Sequence, residues 1–215
     1  MSALKLFIAN KNYSSWSFRP WLAMKVAEIS FEECFVRFDD DFENMHFLEF
    51  SPAKTVPTLH DGNLRLPDSL AILEYVAELY PEKALWPEDP IRRAQARAIS
   101  CEMHSGFSAL RSACPMNMRR PPEKLSVDDA VRKNVTRIEQ IWEGCLTHSG
   151  GPFLFGTFGI ADAMYAPVVS RFLTYQLSDA DVTKRYTETL TSLPAWQEWE
   201  AAGRAEPWTV PADEI

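Results

Sequence analysis

Three hydroxyls crowd into Ser14-Ser15-Trp16-Ser17, just after an alternating apolar segment and at the head of a helical pattern. A helix N-terminus offers spare N–H donors and the positive end of the helix dipole, so serines placed there suit an anion. The same residues are ordinary helix caps, and the local pattern alone does not separate the two readings. Asp68-Ser69 stands before another helical pattern with the same pair of meanings: a plain cap, or a carboxylate and a hydroxyl presented to a charged ligand. Between them lie Lys54, a solvated lysine or a carboxylate partner, and Val56-Pro57, a strand-start proline whose isomer no sequence displays. Further on, His104, Phe107 and Arg111 fall within two turns of one expected helix. There His104 is an acid or a packing residue, and Arg111 an anion binder. Tyr13 and Trp16 read as apolar walls rather than as reacting groups.

Elements must position these residues. Leu4, Leu6 and Ile8 share one side of a short strand, and a polar loop from Asn10 leads to a helix with Leu22, Val26 and Ile29 on its stripe, capped by Ser17 with Pro20 in the first turn. Cys34 to Phe38 reads as a second strand and Phe42 to Phe50 as a short helix. Thr58-Leu59-His60 and Leu64-Arg65-Leu66 flank the hairpin signal Asp61-Gly62. Asp68 or Ser69 caps a helix carrying Ile72, Leu73, Val76 and Leu79. The order is β-α-β-α-β-β-α, with a right-handed crossover after the first strand. Prolines 81, 87 and 90 break all periodicity, which places a linker at 80–90 between a first domain, 1–79, and a second, 91–215. The second half reads as helix throughout. One helix begins at Asp89-Pro90 and stops at Pro115. Another is capped by Ser126 with Asp129 and ends at Gly150-Gly151. A strongly apolar helix runs from Ile160 to Tyr175 around Pro167, and two more follow at Ser178 to Leu190 and Pro194 to Gly203.

Composition removes several classes of function. The 215 residues carry 22 Lys+Arg against 30 Asp+Glu, a net charge of -8, which argues against nucleic-acid backbones and anionic membranes as partners. No apolar run is long enough for a transmembrane helix, and the N-terminus lacks the marks of a signal peptide. Cys34, Cys101, Cys114 and Cys145 form no C-x-x-C pair and the four histidines are scattered, so no metal is expected, and reduced thiols in a cytoplasm are the simplest reading.

Four motifs stand along both halves of the chain: Asn12-Tyr13-Ser14-Ser15-Trp16-Ser17-Phe18-Arg19-Pro20, Lys54-Thr55-Val56-Pro57-Thr58-Leu59, Asp68-Ser69-Leu70-Ala71-Ile72 and Gly156-Thr157-Phe158-Gly159-Ile160-Ala161-Asp162. Together they resemble the cytosolic glutathione transferases, and the S-S-x-S-x-R start is most similar to the serine-type, zeta-like bacterial branch. The resemblance implies an α/β plus all-α architecture, a thioredoxin-like glutathione-binding domain followed by a helical bundle lining an electrophile site. It implies glutathione as co-substrate, a small electrophile as partner and a homodimer. Ser14 would donate to the glutathione thiolate, with Ser15 and Ser17 as lesser candidates; a thiol near ~8.5 is mostly protonated at neutral pH, and the thiolate is the nucleophile. Val56, before a proline that is cis in the family, would pair with the cysteinyl backbone. Asp68 would take the ligand's ammonium, Ser69 its α-carboxylate and Lys54 the glycyl carboxylate. Tyr13, Trp16, His104, Phe107 and Arg111 would line the electrophile pocket. Gly159 stands where the family has Ser or Thr, and Asp162 still completes the cap. Isomerases of the maleylacetoacetate type carry cysteine at the position of Trp16, and only Arg19 and Arg111 offer a cationic clamp for a diacid. Conjugation of an apolar electrophile is therefore expected ahead of isomerisation, and ahead of a non-catalytic binding or scaffold role. The cysteine-free first loop disfavours thiol–disulfide exchange.

Overall fold

In the computed structural model, which describes residues 3–39 and 43–215, the chain builds a four-stranded sheet with helices and then a helical half. The first half runs β1 (Lys5–Ile8), α1 (Ser15–Val26), β2 (Glu32–Phe35), a 3-10 turn (Met45–Glu49), β3 (Thr58–Asp61), β4 (Leu64–Pro67) and α2 (Ser69–Leu79). The sheet order is β2-β1-β3-β4. β1 pairs parallel to β2 and antiparallel to β3, as the crossover and hairpin require. Leu4, Leu6 and Ile8 are buried together, the alternation read from sequence.

Several boundaries differ from the expectation. α1 starts at Ser15 with Ser14, not Ser17, as its cap, so Pro20 lies inside the helix. β2 ends at Phe35 rather than spanning 34–38, because its partner β1 is four residues long and the register Lys5↔Glu32 to Ile8↔Phe35 exhausts it. As an edge strand it carries charges, Lys5 pairing with Glu32 at 2.9 Å, and therefore lacks an apolar alternation. The second helix of the series is only the 3-10 turn at Met45–Glu49; Phe42, where the expected element began, lies outside the described residues. The hairpin turn is Gly62-Asn63, one residue later than expected, with Gly62 at φ +54.

The second half contains α3 (Pro90–Ser105), α4 (Ser108–Ala113), α5 (Asp129–Ser149), α6 (Ile160–Thr174), α7 (Asp181–Thr191) and α8 (Pro194–Ala205), then a 3-10 turn at Pro211–Asp213. The helix expected to run to Pro115 breaks at Gly106, where a Cβ would lie 2.5 Å from the Glu102 carbonyl oxygen, and Phe107 takes a left-handed conformation at φ +55. α5 is capped by Asp128, not Ser126: Glu123 and Leu125 hydrogen-bond to the Thr174 and Tyr175 carbonyls and hold the chain extended until Asp128 accepts the Val131 N–H at 2.9 Å.

One core joins the two halves. α1 is buried on nearly every side because the sheet covers one face and α6 and α8 the other. Phe18 stacks on Trp199 at 4.9 Å and meets Trp196 edge-on at 5.2 Å, and Trp21 meets Trp199 at 5.0 Å. α6 is equally submerged, and its buried Asp162 accepts from the Leu154 and Gly159 N–H groups and the Tyr186 hydroxyl. Gly159 has a steric reason: a Cβ there would sit 2.8 Å from the Leu85 carbonyl oxygen, which accepts the Ile160 N–H.

Candidate active site

The turn from β1 into α1 forms one wall. Tyr13 and Ser14 both donate their N–H groups to the Asn10 carbonyl, at 3.0 and 2.8 Å. Ser14 Oγ accepts the Ser17 N–H at 3.4 Å and donates to Ser17 Oγ at 2.7 Å, and Ser17 Oγ accepts the Ala9 N–H at 3.2 Å. Ser17 is thus a fully buried tie between strand and helix and does not line the cleft, whereas Ser14 and Ser15 do. A hydroxyl rotates freely, so Ser14 can swing its proton from Ser17 to a ligand atom. Ser15 Oγ accepts from Nη2 of Arg171 at 3.4 Å, which leaves its own proton to donate.

Two adjoining depressions, of about 300 and 270 Å³, share Trp16, Thr55 and Val56 as common walls. The first reaches from Tyr13, Ser14 and Ser15 to Lys54, Arg111 and Arg171; the second holds Pro57, Asp68 and Ser69. The Val56–Pro57 bond is cis. A larger groove of about 840 Å³ between α5 and α7 offers less chemistry, because its Glu143 and Arg185 pair with each other at 3.6 Å.

Asp68 caps α2 from a left-handed backbone, φ +78, an uncommon conformation for a residue with a side chain. Its Oδ1 accepts the Leu70 and Ala71 N–H groups at 2.9 and 3.0 Å, and its Oδ2 accepts from Nε2 of His104 at 2.6 Å. His104 also packs edge-on against Trp16, with ring centroids 5.2 Å apart. His104 therefore serves the Asp68 end of the cleft rather than the wall expected for it. Phe107, left-handed at φ +55, is buried in the core at the break between α3 and α4 and lines neither depression.

Positive charge dominates the remainder. The Trp16 ring lies between two guanidinium groups, Arg19 at 4.0 Å and Arg111 at 4.6 Å from its centroid. Arg19 is fully buried; its Nη1 reaches Ser69 Oγ at 3.5 Å and its Nε has no hydrogen-bond partner. Arg171 is also buried and donates to the Cys114 and Pro167 carbonyls, at 2.8 and 3.0 Å. Arg111 reaches the His104 and Gly106 carbonyls at 3.4 Å. None of the three has an ion-pair partner among the described residues, and neither has Lys54, whose ammonium contacts Met45 Sδ at 3.2 Å. Burial, and then the mutual repulsion of these guanidiniums, pulls Arg19 well below the ordinary arginine range, and burial followed by Arg111 brings Arg171 down to about 10. Uncompensated buried cations are costly, and an anion placed among them relieves that cost.

The cleft thus gathers Tyr13, Ser14, Ser15, Trp16, Lys54, Val56, Pro57, Asp68, Ser69 and Arg111 from the sequence expectation. Thr55, Arg171 and Asp213 were not among the residues expected there. Arg171 had one signal, a lone cation inside the apolar run from Ile160 to Tyr175; Asp213 had none.

The sequence profile of the glutathione S-transferase N-terminal domain matches residues 13–79, and that of the C-terminal domain residues 119–202. A probable maleylacetoacetate isomerase of Caenorhabditis elegans is 30% identical over 187 residues, covering 85% of this chain and 87% of its own. The glutathione S-transferase Z1 of Arabidopsis thaliana is 30% identical over 179 residues, covering 75% and 73%. Among solved structures, a Burkholderia glutathione transferase homolog with bound glutathione superposes with a TM-score of 0.71 at 22% identity, covering 96% of this chain and 100% of that one.

Proposed function

The chain belongs to the glutathione S-transferase family, and we propose that its cleft binds glutathione, holds the thiol as a thiolate and directs it at an electrophile carrying an anionic group. The observation that carries this reading is the meeting of two helix N-termini, at Ser14-Ser15 and Asp68-Ser69, around one cleft with Arg19, Lys54, Arg111 and Arg171, none of which has a carboxylate at ion-pair distance among the described residues. Glutathione offers two carboxylates, an ammonium and a sulfur, and each finds a counterpart. Asp68 receives the ammonium beside His104, since a carboxylate oxygen accepts more than one hydrogen bond. Ser69, backed by Arg19, receives the α-carboxylate, and Lys54 the glycyl carboxylate. Val56 pairs with the cysteinyl backbone. Ser14 turns its hydroxyl from Ser17 to the sulfur and favours the charged form, with Ser15 beside it. Residues 1–79 form the glutathione half, 80–90 the linker and 91–215 the electrophile half of a cytoplasmic homodimer; the four free cysteines fit a reducing compartment.

The electrophile end is less apolar than the Trp16 wall implied. Arg111 and Arg171 both face it, which supports a second reading: cis–trans isomerisation of a maleyl diacid, the activity named for several relatives. In that reaction the thiolate adds to the cis double bond, the carbon–carbon bond rotates, and elimination returns the thiolate, so glutathione is regenerated. Trp16 contributes a broad wall and no nucleophile to either reaction. The test has two parts. Glutathione at about 100 times its Kd should add ~2.7 kcal/mol of apparent stability, and a melting temperature unmoved by millimolar glutathione would count against the whole reading. Comparing kcat/KM for maleylacetone and for an activated aryl halide then separates isomerisation from conjugation, and no turnover with a broad electrophile panel would leave a binding role only.

A further inference from the structure

The ten residues after α8 do not trail into solvent. Arg119 fastens them: its Nη1 donates to the Glu206 carbonyl at 2.6 Å, and its Nη2 to the Trp208 carbonyl at 3.2 Å and the Tyr13 hydroxyl at 2.8 Å. The Glu206 carboxylate accepts the Lys11 and Asn12 N–H groups, Trp208 stacks on Phe35 at 5.5 Å, and Val210 is buried. Tyr13 donates its hydroxyl to Glu214 Oε1 at 2.5 Å. These anchors turn the chain at Pro211–Asp213 and bring Asp213 to the wall of the depression that holds Ser15, Trp16, Arg111 and Arg171. Asp213 is the only carboxylate among the described residues lining that depression, and its own side chain has no hydrogen-bond or ion-pair partner among them. Arg171 lines the same depression; burial raises the Asp213 carboxyl above the ordinary range, and the charge of Arg171 opposes that shift.

We propose that Asp213 is a specificity-determining residue: held over the electrophile end by the C-terminal segment, its carboxylate competes with the substrate's own carboxylate for Arg171 and limits how much negative charge the electrophile brings. This rests on the reading of the cleft given above. The competition is set by charge, so replacing Asp213 with its uncharged isostere strengthens anionic ligands and leaves neutral ones alone, while glutathione's own contacts, at Asp68, Ser69, Val56 and Lys54, are untouched. The effect of one partly solvated charge at close range corresponds to about a fivefold change in affinity.

Isothermal titration of two glutathione adducts reads this directly: S-benzylglutathione and S-(4-carboxybenzyl)glutathione, which differ by one carboxylate at the electrophile end. Asp213→Asn should shift the ratio of their affinities about fivefold toward the carboxylated adduct, and Asp213→Glu, which keeps the charge, should keep the wild-type ratio. A ratio within twofold of wild type in Asp213→Asn would overturn the proposal while leaving the glutathione site intact. An equal shift in Asp213→Glu would overturn it as well, since the cause would then be shape rather than charge. Failure of the wild type to bind either adduct would instead overturn the glutathione reading, and this proposal with it.

Discussion

Ser14→Ala tests the chemistry and the local structure at once, because Ser14 does two jobs in the same turn. Its Oγ accepts the Ser17 N–H as the cap of α1 and donates to Ser17 Oγ at 2.7 Å. A hydrogen bond to a charged partner contributes ~1.5–3 kcal/mol, and the neutral bond to Ser17 that must be given up contributes about 1. The net preference for thiolate is then roughly 0.5–2 kcal/mol, or about one pKa unit at 1.36 kcal/mol per unit. In Ser14→Ala the bound thiol should titrate about one unit higher. The sign follows: the variant's kcat falls at neutral pH, where less thiolate is present, and recovers toward the wild-type value as pH rises past the new pKa. Loss of the cap removes about 1 kcal/mol of stability. In a chain of this length that lowers the melting temperature by roughly 2–4 °C. Kinetics taken well below both transitions keep the effects apart. The assay is ultraviolet titration of the thiolate in the enzyme–glutathione complex, wild type against Ser14→Ala. Superimposable curves would refute the reasoning and pass the role to Ser15, whose hydroxyl accepts from Arg171, or to backbone donors at the head of α1.

Two further expectations are independent of the thiolate. Gly159→Ala should destabilise the fold by about 1–3 kcal/mol, since its Cβ would meet the Leu85 carbonyl oxygen at 2.8 Å and both segments are pinned by the Ile160–Leu85 hydrogen bond; urea denaturation measures it, and an unchanged midpoint would show that the linker yields. The chain mass is 24.5 kDa, so sedimentation should give a species of about twice that for a two-fold homodimer, and a single monomeric boundary at micromolar concentration would remove the dimer from the proposed function.

Local pattern was enough for most of what repeats. Alternation located β1, the helical stripe located α2, and Gly150 at φ +65 ends α5 where the glycine pair stood. The motif order carried the fold and the family. Element ends were less legible. Pro20 looked like a first-turn residue because a cap is chosen by which hydroxyl reaches which N–H, and Ser14, Ser15 and Ser17 are interchangeable on paper. β2 was misplaced because an edge strand takes its length from its neighbour's hydrogen bonds, not from its own hydrophobicity. The break at Gly106 was hidden by a helical composition on both sides, and it puts His104 and Arg111 on different helices, both against Trp16.

What the sequence by itself determined is the set of chemical groups and the two helix starts that present them: hydroxyls at the head of α1, Asp68-Ser69 at the head of α2, and a proline between. Only the tertiary structure decided which groups share a space. Ser15 meets Arg171 across 156 positions of chain, Tyr13 meets Glu214 across 201, and Asn12 accepts the Arg119 N–H across 107. Such contacts leave no periodic trace, because they are chosen by how α1 packs on α6 and how the C-terminal segment returns over the cleft. The physical reason is one of range: backbone hydrogen bonding and side-chain period act within a few residues, whereas the charge a substrate meets is the sum over groups brought together by burial. A lone arginine in an apolar helix and an aspartate near the end of the chain came to line one depression through burial of α6 and anchoring of the C-terminal segment.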